Sequence, residues 1–212
     1  MNQAKNYLRC LDCQGTELAP TPCFYYHAIE PFITQQRSII YPAASRLRWT
    51  KADLGQVVTW SVNFNNSRLP FSDADLLLKS EEQFARISCA CGIIFQFVPG
   101  INPTTDIEIF FEEVDGPGQT LAFVFQPSTG NNMSACGVCG PVHVDEEENF
   151  SLTDYGNVLL HELGHSVGLS HTNQIGVPTG SNVMDPTYSF GSPEFELGKS
   201  DLEQLRLRYP LQ

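Results

Sequence analysis

A chain of 212 residues has the length of one domain, or of one domain with a short extension, since domains usually run from about 50 to 250 residues. A hydrophobic share of 42%, with 14 Phe, 7 Tyr and 2 Trp, is enough to build a core, and 17% charged residues is too few for a disordered acidic chain. Twelve Lys and Arg against 24 Asp and Glu give a net charge of −12, which argues against nucleic-acid phosphates and anionic membranes as partners and suits divalent cations.

No apolar run reaches the roughly 18 residues of a membrane span, and the start, Met1-Asn2-Gln3-Ala4-Lys5, has no apolar stretch behind its single Lys, so neither a span nor a signal peptide is expected. The seven cysteines (Cys10, Cys13, Cys23, Cys89, Cys91, Cys136 and Cys139) are many for a reducing compartment and point to an extracellular setting. Their odd number leaves at least one thiol free or paired outside the chain.

Residues 1–45 hold three of these cysteines and four prolines without a sustained period, and read as an N-terminal extension, with the folded domain over 46–212. Val57 to Phe64 is rich in β-branched and aromatic residues and reads as a strand. Ser72 is placed to cap a helix in which Leu76, Leu77, Phe84, Ala85 and Ile87 recur at three- and four-residue intervals. Three strands are then predicted over Ile93–Val98, Asp106–Phe111 and Thr120–Phe125, each bounded by Gly or Pro, and a short fifth over Val142–Asp145. A helix follows over Leu152–Gly168, capped by Ser151 or Thr153, and a last one over Asp201–Tyr209. This order describes a mixed α/β layer rather than a bundle or a sandwich.

The informative stretch is His161-Glu162-Leu163-Gly164-His165-Ser166-Val167-Gly168-Leu169-Ser170-His171. Two histidines four apart on a helix project from one face and can bind one Zn²⁺. Gly168 can take a positive φ and turn the chain so that His171 approaches the same ion, giving three imidazoles and one open position for water. Glu162, beside that face but not a ligand, is placed to take a proton from the water and pass it to a leaving amine, which is peptide-bond hydrolysis. The bland alternative, a helix with surface histidines, does not account for five fixed residues over eleven positions.

This extended pattern resembles the metzincins, named for a Met in a turn beneath the zinc ligands, and Asn182-Val183-Met184-Asp185-Pro186 fits that turn. Within them the chain is similar to the matrixins, the catalytic domains of matrix metalloproteinases, over roughly residues 47 to 209. The segments that carry the likeness are Arg48-Trp49-Thr50-Lys51, Asp106-Ile107-Glu108-Ile109, Asp115-Gly116-Pro117-Gly118, Gly140-Pro141-Val142-His143-Val144-Asp145 and Leu197 to Tyr209. The resemblance implies a twisted, mostly parallel five-stranded sheet with two long helices, a Met turn and a C-terminal helix. It implies a secreted zinc endopeptidase acting on polypeptides, with no nucleic-acid or membrane partner, and a monomer is expected.

It further implies a calcium site with carboxylates from Asp115, Asp145 and Glu148 and backbone oxygens from Gly116, Gly118 and Thr120, an oxygen-only set that suits Ca²⁺. Leu121 and Ala122 would lie along an extended substrate, and Pro186-Thr187-Tyr188 would wall the pocket for the side chain after the cut. Matrixins usually carry a second, structural zinc on three His and one Asp. Here Phe123 stands at one His position, His143 alone remains, and no His-x-Asp precedes Asp115, so a single zinc is expected.

The interval from His171 to Met184 carries extra loop at Gly176, Pro178 and Gly180, on the rim of the cleft. Cys136-Gly137-Val138-Cys139 is compatible with a disulfide, a redox pair or, with Cys10-Leu11-Asp12-Cys13, a thiolate zinc site. Arg9-Cys10 resembles the Arg-Cys-Gly by which many matrixin pro-segments place a thiolate on the catalytic zinc, without the Gly. Two rivals of other classes stay open: a metzincin-fold binding module without catalysis, which the presence of Glu162 disfavours, and an exopeptidase or a hydrolase of non-peptide amides.

Overall fold

The apolar run after residue 56 becomes an interior strand of a sheet. In the computed structural model, which describes residues 49, 55–64, 67–100, 105–124, 141–169, 171, 183–185 and 187–209, five strands lie in the order β2-β1-β3-β5-β4. They are β1 (Val58–Asn63), β2 (Phe95–Phe97), β3 (Ile107–Glu112), β4 (Ala122–Val124) and β5 (Val142–Asp145). β1 pairs in parallel with β2 and β3, and β3 with β5, whereas β4 runs antiparallel to β5, with Phe123 opposite His143. The expected mostly parallel sheet is what forms, and β4 is left as an edge strand.

Parallel strands need covered faces, and two long helices supply apolar surface for them. Helix α1 (Asp73–Cys91) is capped by Ser72, whose Oγ accepts from the Asp75 amide at 3.2 Å while Asp75 accepts from the Ser72 amide. Helix α2 (Leu152–Ser166) repeats the device with Ser151 and Asp154, deciding between the two caps the sequence offered. Leu76, Phe84 and Ile87 of α1 and Leu159 and Leu160 of α2 are wholly buried, each contributing about 1.5–3 kcal/mol. Trp60 of β1 stacks on Phe84, ring centres 4.1 Å apart, and a hydrogen bond between Ser80 Oγ and Tyr155 Oη ties α1 to α2 at 2.8 Å.

Helix α3 (Lys199–Arg208) closes the domain. Just beyond it the Tyr209 hydroxyl donates to Val167 O at 2.9 Å and accepts from the Trp49 amide at 3.0 Å, while Trp49 Nε1 donates to Ser166 O at 3.0 Å. The end of α2, where the histidine motif turns, is thereby fastened by both flanks of the domain. No helix among the described residues is long and apolar enough to cross a membrane. Cys89 is disulfide-bonded and Cys91 is a buried free thiol, pushed up to about 12 by burial. Cys10, Cys13, Cys23, Cys136 and Cys139, and with them the thiolate-zinc and pro-segment readings, lie outside the described residues.

Candidate metal centre and active site

His161 and His165 leave α2 one turn apart on the same face, as their spacing requires. The helix ends at Ser166, and Gly168 takes φ +94°, a left-handed conformation that sends the chain back so that His171 meets the other two. The three Nε2 atoms converge: 3.0 Å between His161 and His165, 3.0 Å between His165 and His171, and 3.2 Å between His161 and His171. A tetrahedral ion with bonds of about 2.0–2.1 Å would hold such atoms about 3.3 Å apart.

The other ring nitrogens settle what these atoms can do. His161 Nδ1 lies 2.5 Å from Val183 O and His165 Nδ1 lies 2.9 Å from Leu169 O. A carbonyl can only accept, so both Nδ1 atoms carry the proton and both Nε2 atoms present lone pairs to each other. Two facing lone pairs repel unless a cation sits between them. Burial, and then the neighbouring His165, pushes His161 down to about 4, and burial pushes His165 to about 4 as well, so both rings are neutral at pH 7 as ligands must be. The donor set therefore fits a zinc ion, and among the described residues it is the one group of three or more His, Cys, Asp or Glu whose ligand atoms all lie within 4.8 Å of one another.

Beneath the triad, Met184 is fully buried against α2. Its sulfur comes so close to Gly164 that a Cβ there would lie 2.4 Å from it. Absence of a side chain at 164 is what lets the Met pass under the helix and bring the Val183 carbonyl to His161. Glu162 is 5% exposed and faces the same cleft, and burial raises its carboxyl to about 8. A divalent cation nearby would favour its charged form and pull that value back down.

The cleft has a volume of about 1070 Å³. Leu121, Ala122 and Phe123 line one side; Asn157, Val158, His161 and Glu162 of α2, with Thr187 and Tyr188, line the other. Leu121, Ala122, Thr187 and Tyr188 all line this cleft, and Pro186 lies outside the described residues. Leu160, beside His161 in the chain, is wholly buried and does not line the cleft, because one residue along a helix is about 100° away. Sequence reasoning missed Asn157 and Asp154. They stand four and seven residues before His161, on its face of the helix, and that spacing was the available signal. The Tyr188 hydroxyl donates to Asp154 Oδ1 at 2.7 Å and accepts from Asn157 Nδ2 at 3.1 Å.

The residues expected around calcium do share one corner, in the β3–β4 loop and at the end of β5, but their carboxylates are engaged by loop donors. Asp115 accepts from the Thr120 amide at 3.1 Å and hydroxyl at 2.7 Å, Glu148 from the Gly118 amide at 2.5 Å, and Asp145 from the Glu147 amide at 2.9 Å. Where matrixins usually carry the second zinc that is not expected here, His143 is stacked against Phe123, centroids 4.5 Å apart at 4°, with Phe110 at 5.5 Å. Its Nδ1 lies 2.6 Å from Glu112 Oε1.

The matrixin family model matches residues 48–209. This chain belongs to the matrixin family. Among its matrixin relatives it is 30% identical to human Matrix metalloproteinase-26 over 178 residues, 77% of this chain and 60% of that protein. It is 36% identical to human Matrilysin over 103 residues, 45% of this chain and 33% of that protein. To Matrix metalloproteinase-18 of Xenopus laevis it is 37% identical over 121 residues, 51% and 23% of the two chains. The matches reach no more than 60% of the length of these relatives. Membership of this zinc metalloendopeptidase family agrees with the resemblance drawn from the motif.

Proposed function

We propose that the chain is a zinc-dependent endopeptidase in which His161, His165 and His171 hold the metal and Glu162 is the catalytic base. The observation that carries this reading is the convergence of three Nε2 atoms whose tautomers are fixed by backbone carbonyls. When bound, zinc lowers the pKa of a water molecule and polarises a carbonyl. Glu162, in the cleft beside the triad, takes the proton from the water at a carboxylate oxygen and returns it to the leaving amine nitrogen. The low-dielectric surroundings that bury Glu162 strengthen its interaction with any nearby charge.

β4, the outermost strand among the described residues, suits an extended peptide, which would pair its backbone with Leu121 and Ala122 and present alternate side chains to the cleft. The pocket beside Pro186, Thr187 and Tyr188 is read as selecting a hydrophobic residue after the cut, because a charged one would lose hydration there without a partner. Calcium at Asp115, Asp145 and Glu148, with Gly116, Gly118 and Thr120, would replace the loop donors that now engage the carboxylates. The remaining parts of the reading are a secreted monomer, with residues 1–45 as a pro-segment ahead of a catalytic domain at 46–212.

The test is Glu162→Ala in the full chain, assayed on terminally blocked peptides. Hydrolysis should fall by at least about 100-fold while the protein keeps its zinc and its fold. Full activity in that variant would refute the assignment. Cleavage confined to peptides with free ends would replace the endopeptidase by an exopeptidase.

A further inference from the structure

The wall of the cleft made by residues 187–195 has no helix or strand of its own, so its shape is set by what grips it. From α2, Asp154 Oδ1 accepts from the Tyr188 hydroxyl at 2.7 Å and the Gly191 amide at 2.9 Å. Asn157 accepts from the Phe195 amide at 2.8 Å and donates to Pro193 O at 3.0 Å. The second grip comes from α1, a helix that contributes nothing to the lining of the cleft. There Arg86 donates to Phe195 O at 2.6 Å and pairs with Glu194 at 2.8 Å, and Lys79 reaches the same Glu194 oxygen at 3.3 Å. One carboxylate on the back of the wall thus holds two cations of α1.

We propose that Glu194, clamped by Arg86 and Lys79, is a positioning residue that fixes the wall carrying Tyr188, Phe190 and Phe195 and so sets which substrate side chains the cleft accepts. This rests on the endopeptidase reading above. Neither Glu194 nor its partners touch the histidines or Glu162, so loosening the clamp leaves the proton transfer alone. It leaves the wall to be ordered by each substrate on binding, which weakens binding. Glu194 is 45% exposed and Arg86 30%, so salt should weaken the clamp. A contact that merely stabilised the fold would lower the amount of active enzyme, an apparent loss of kcat at constant KM.

The experiment uses the zinc-loaded full chain as wild type, Glu194→Gln, Arg86→Ala and the double variant. It follows steady-state cleavage of a peptide library and hydrogen exchange at the Gly191 and Phe195 amides. Each single variant should raise KM about threefold with kcat unchanged, in line with the modest strength of exposed pairs, and should flatten selectivity just after the cut. The double variant should lose less than the two single losses combined, because both remove the Arg86–Glu194 pair, and Glu194→Asp should recover part of the loss. Exchange at both amides should quicken in the variants, and salt of about 0.5 M should move the wild type towards Glu194→Gln while leaving that variant's KM where it is. Unchanged KM and unchanged exchange in Glu194→Gln would overturn the proposal. If the wild type cleaves no peptide, the endopeptidase reading fails, and the exchange at the two amides still decides whether Glu194 holds the wall.

Discussion

Gly164→Ala probes the contact between the zinc helix and the Met turn. The added Cβ would lie 2.4 Å from Met184 Sδ and 3.2 Å from Met184 Cε, whereas unstrained carbon contacts sit at about 3.5–4.0 Å. The sulfur would have to retreat by about 1 Å, yet Met184 is wholly buried and its neighbour Val183 holds His161 Nδ1 at 2.5 Å. Such overpacking costs about 1–3 kcal/mol, against the roughly 1 kcal/mol by which Ala outdoes Gly in a helix. We expect a net loss of about 1 kcal/mol, or about 2–4 °C in Tm, together with weaker zinc binding. In a Met184→Ala background, itself about 2–5 kcal/mol less stable, the obstacle is gone and Gly164→Ala should stabilise by about 1 kcal/mol. The sign of the effect reverses, which no additive account allows. Thermal unfolding of the four proteins at one fixed free zinc concentration measures it. An equal stabilisation by Gly164→Ala in both backgrounds would refute the reasoning.

Asp201, near the start of α3, is raised to about 6 by burial. The folded protein keeps this proton where the unfolded chain has lost it, so the stability it contributes is full below about pH 3.8 and is lost as pH rises through 6. Asp201→Asn should flatten that part of the stability curve, as denaturant titrations from pH 4 to 7 would reveal; an unaltered slope would show that the carboxyl ionises freely. Elemental analysis should find one zinc per chain, because Phe123 cannot ligate, and less than one in His165→Ala. Two tightly held ions would contradict this. Calcium at millimolar concentration, added after chelation and with zinc restored, should raise Tm by mass action, and no shift would remove Asp115, Asp145 and Glu148 from that role.

The histidine motif was legible because its spacing is local: one helical turn and one glycine bring His161, His165 and His171 together within eleven residues. The caps were legible for the same reason, Ser72 and Ser151 each preceding an Asp by three residues. Strand ends were less so. The Val98 amide bonds to Trp60 O beyond the last residue of β2, leaving a ladder shorter than the apolar run suggests. The grip of Asp154 and Asn157 on the cleft wall could not be read, since Tyr188, Pro193 and Phe195 lie 31 to 38 residues away and nothing local announces them. Spacing likewise gives no sign whether a carboxylate faces an ion or an amide, which is why the Asp115 and Glu148 geometry came only with the fold.

The fastening of the end of α2 bears on how the domain is made. The donors to Ser166 O and Val167 O come from Trp49 and Tyr209, which lie 160 residues apart and also bond to each other. On a ribosome, Trp49 and then α2 with its histidines emerge well before Tyr209, and until then the Val167 carbonyl lacks its side-chain donor and the Trp49 amide lacks the hydroxyl it bonds. Contacts of such long range form late, once the loop they close has been brought together. The metal-binding turn is therefore completed only when the last helix of the domain has been synthesised and docked. A partly translated chain thus carries the whole motif before the C-terminal flank can fasten the end of the helix that bears it.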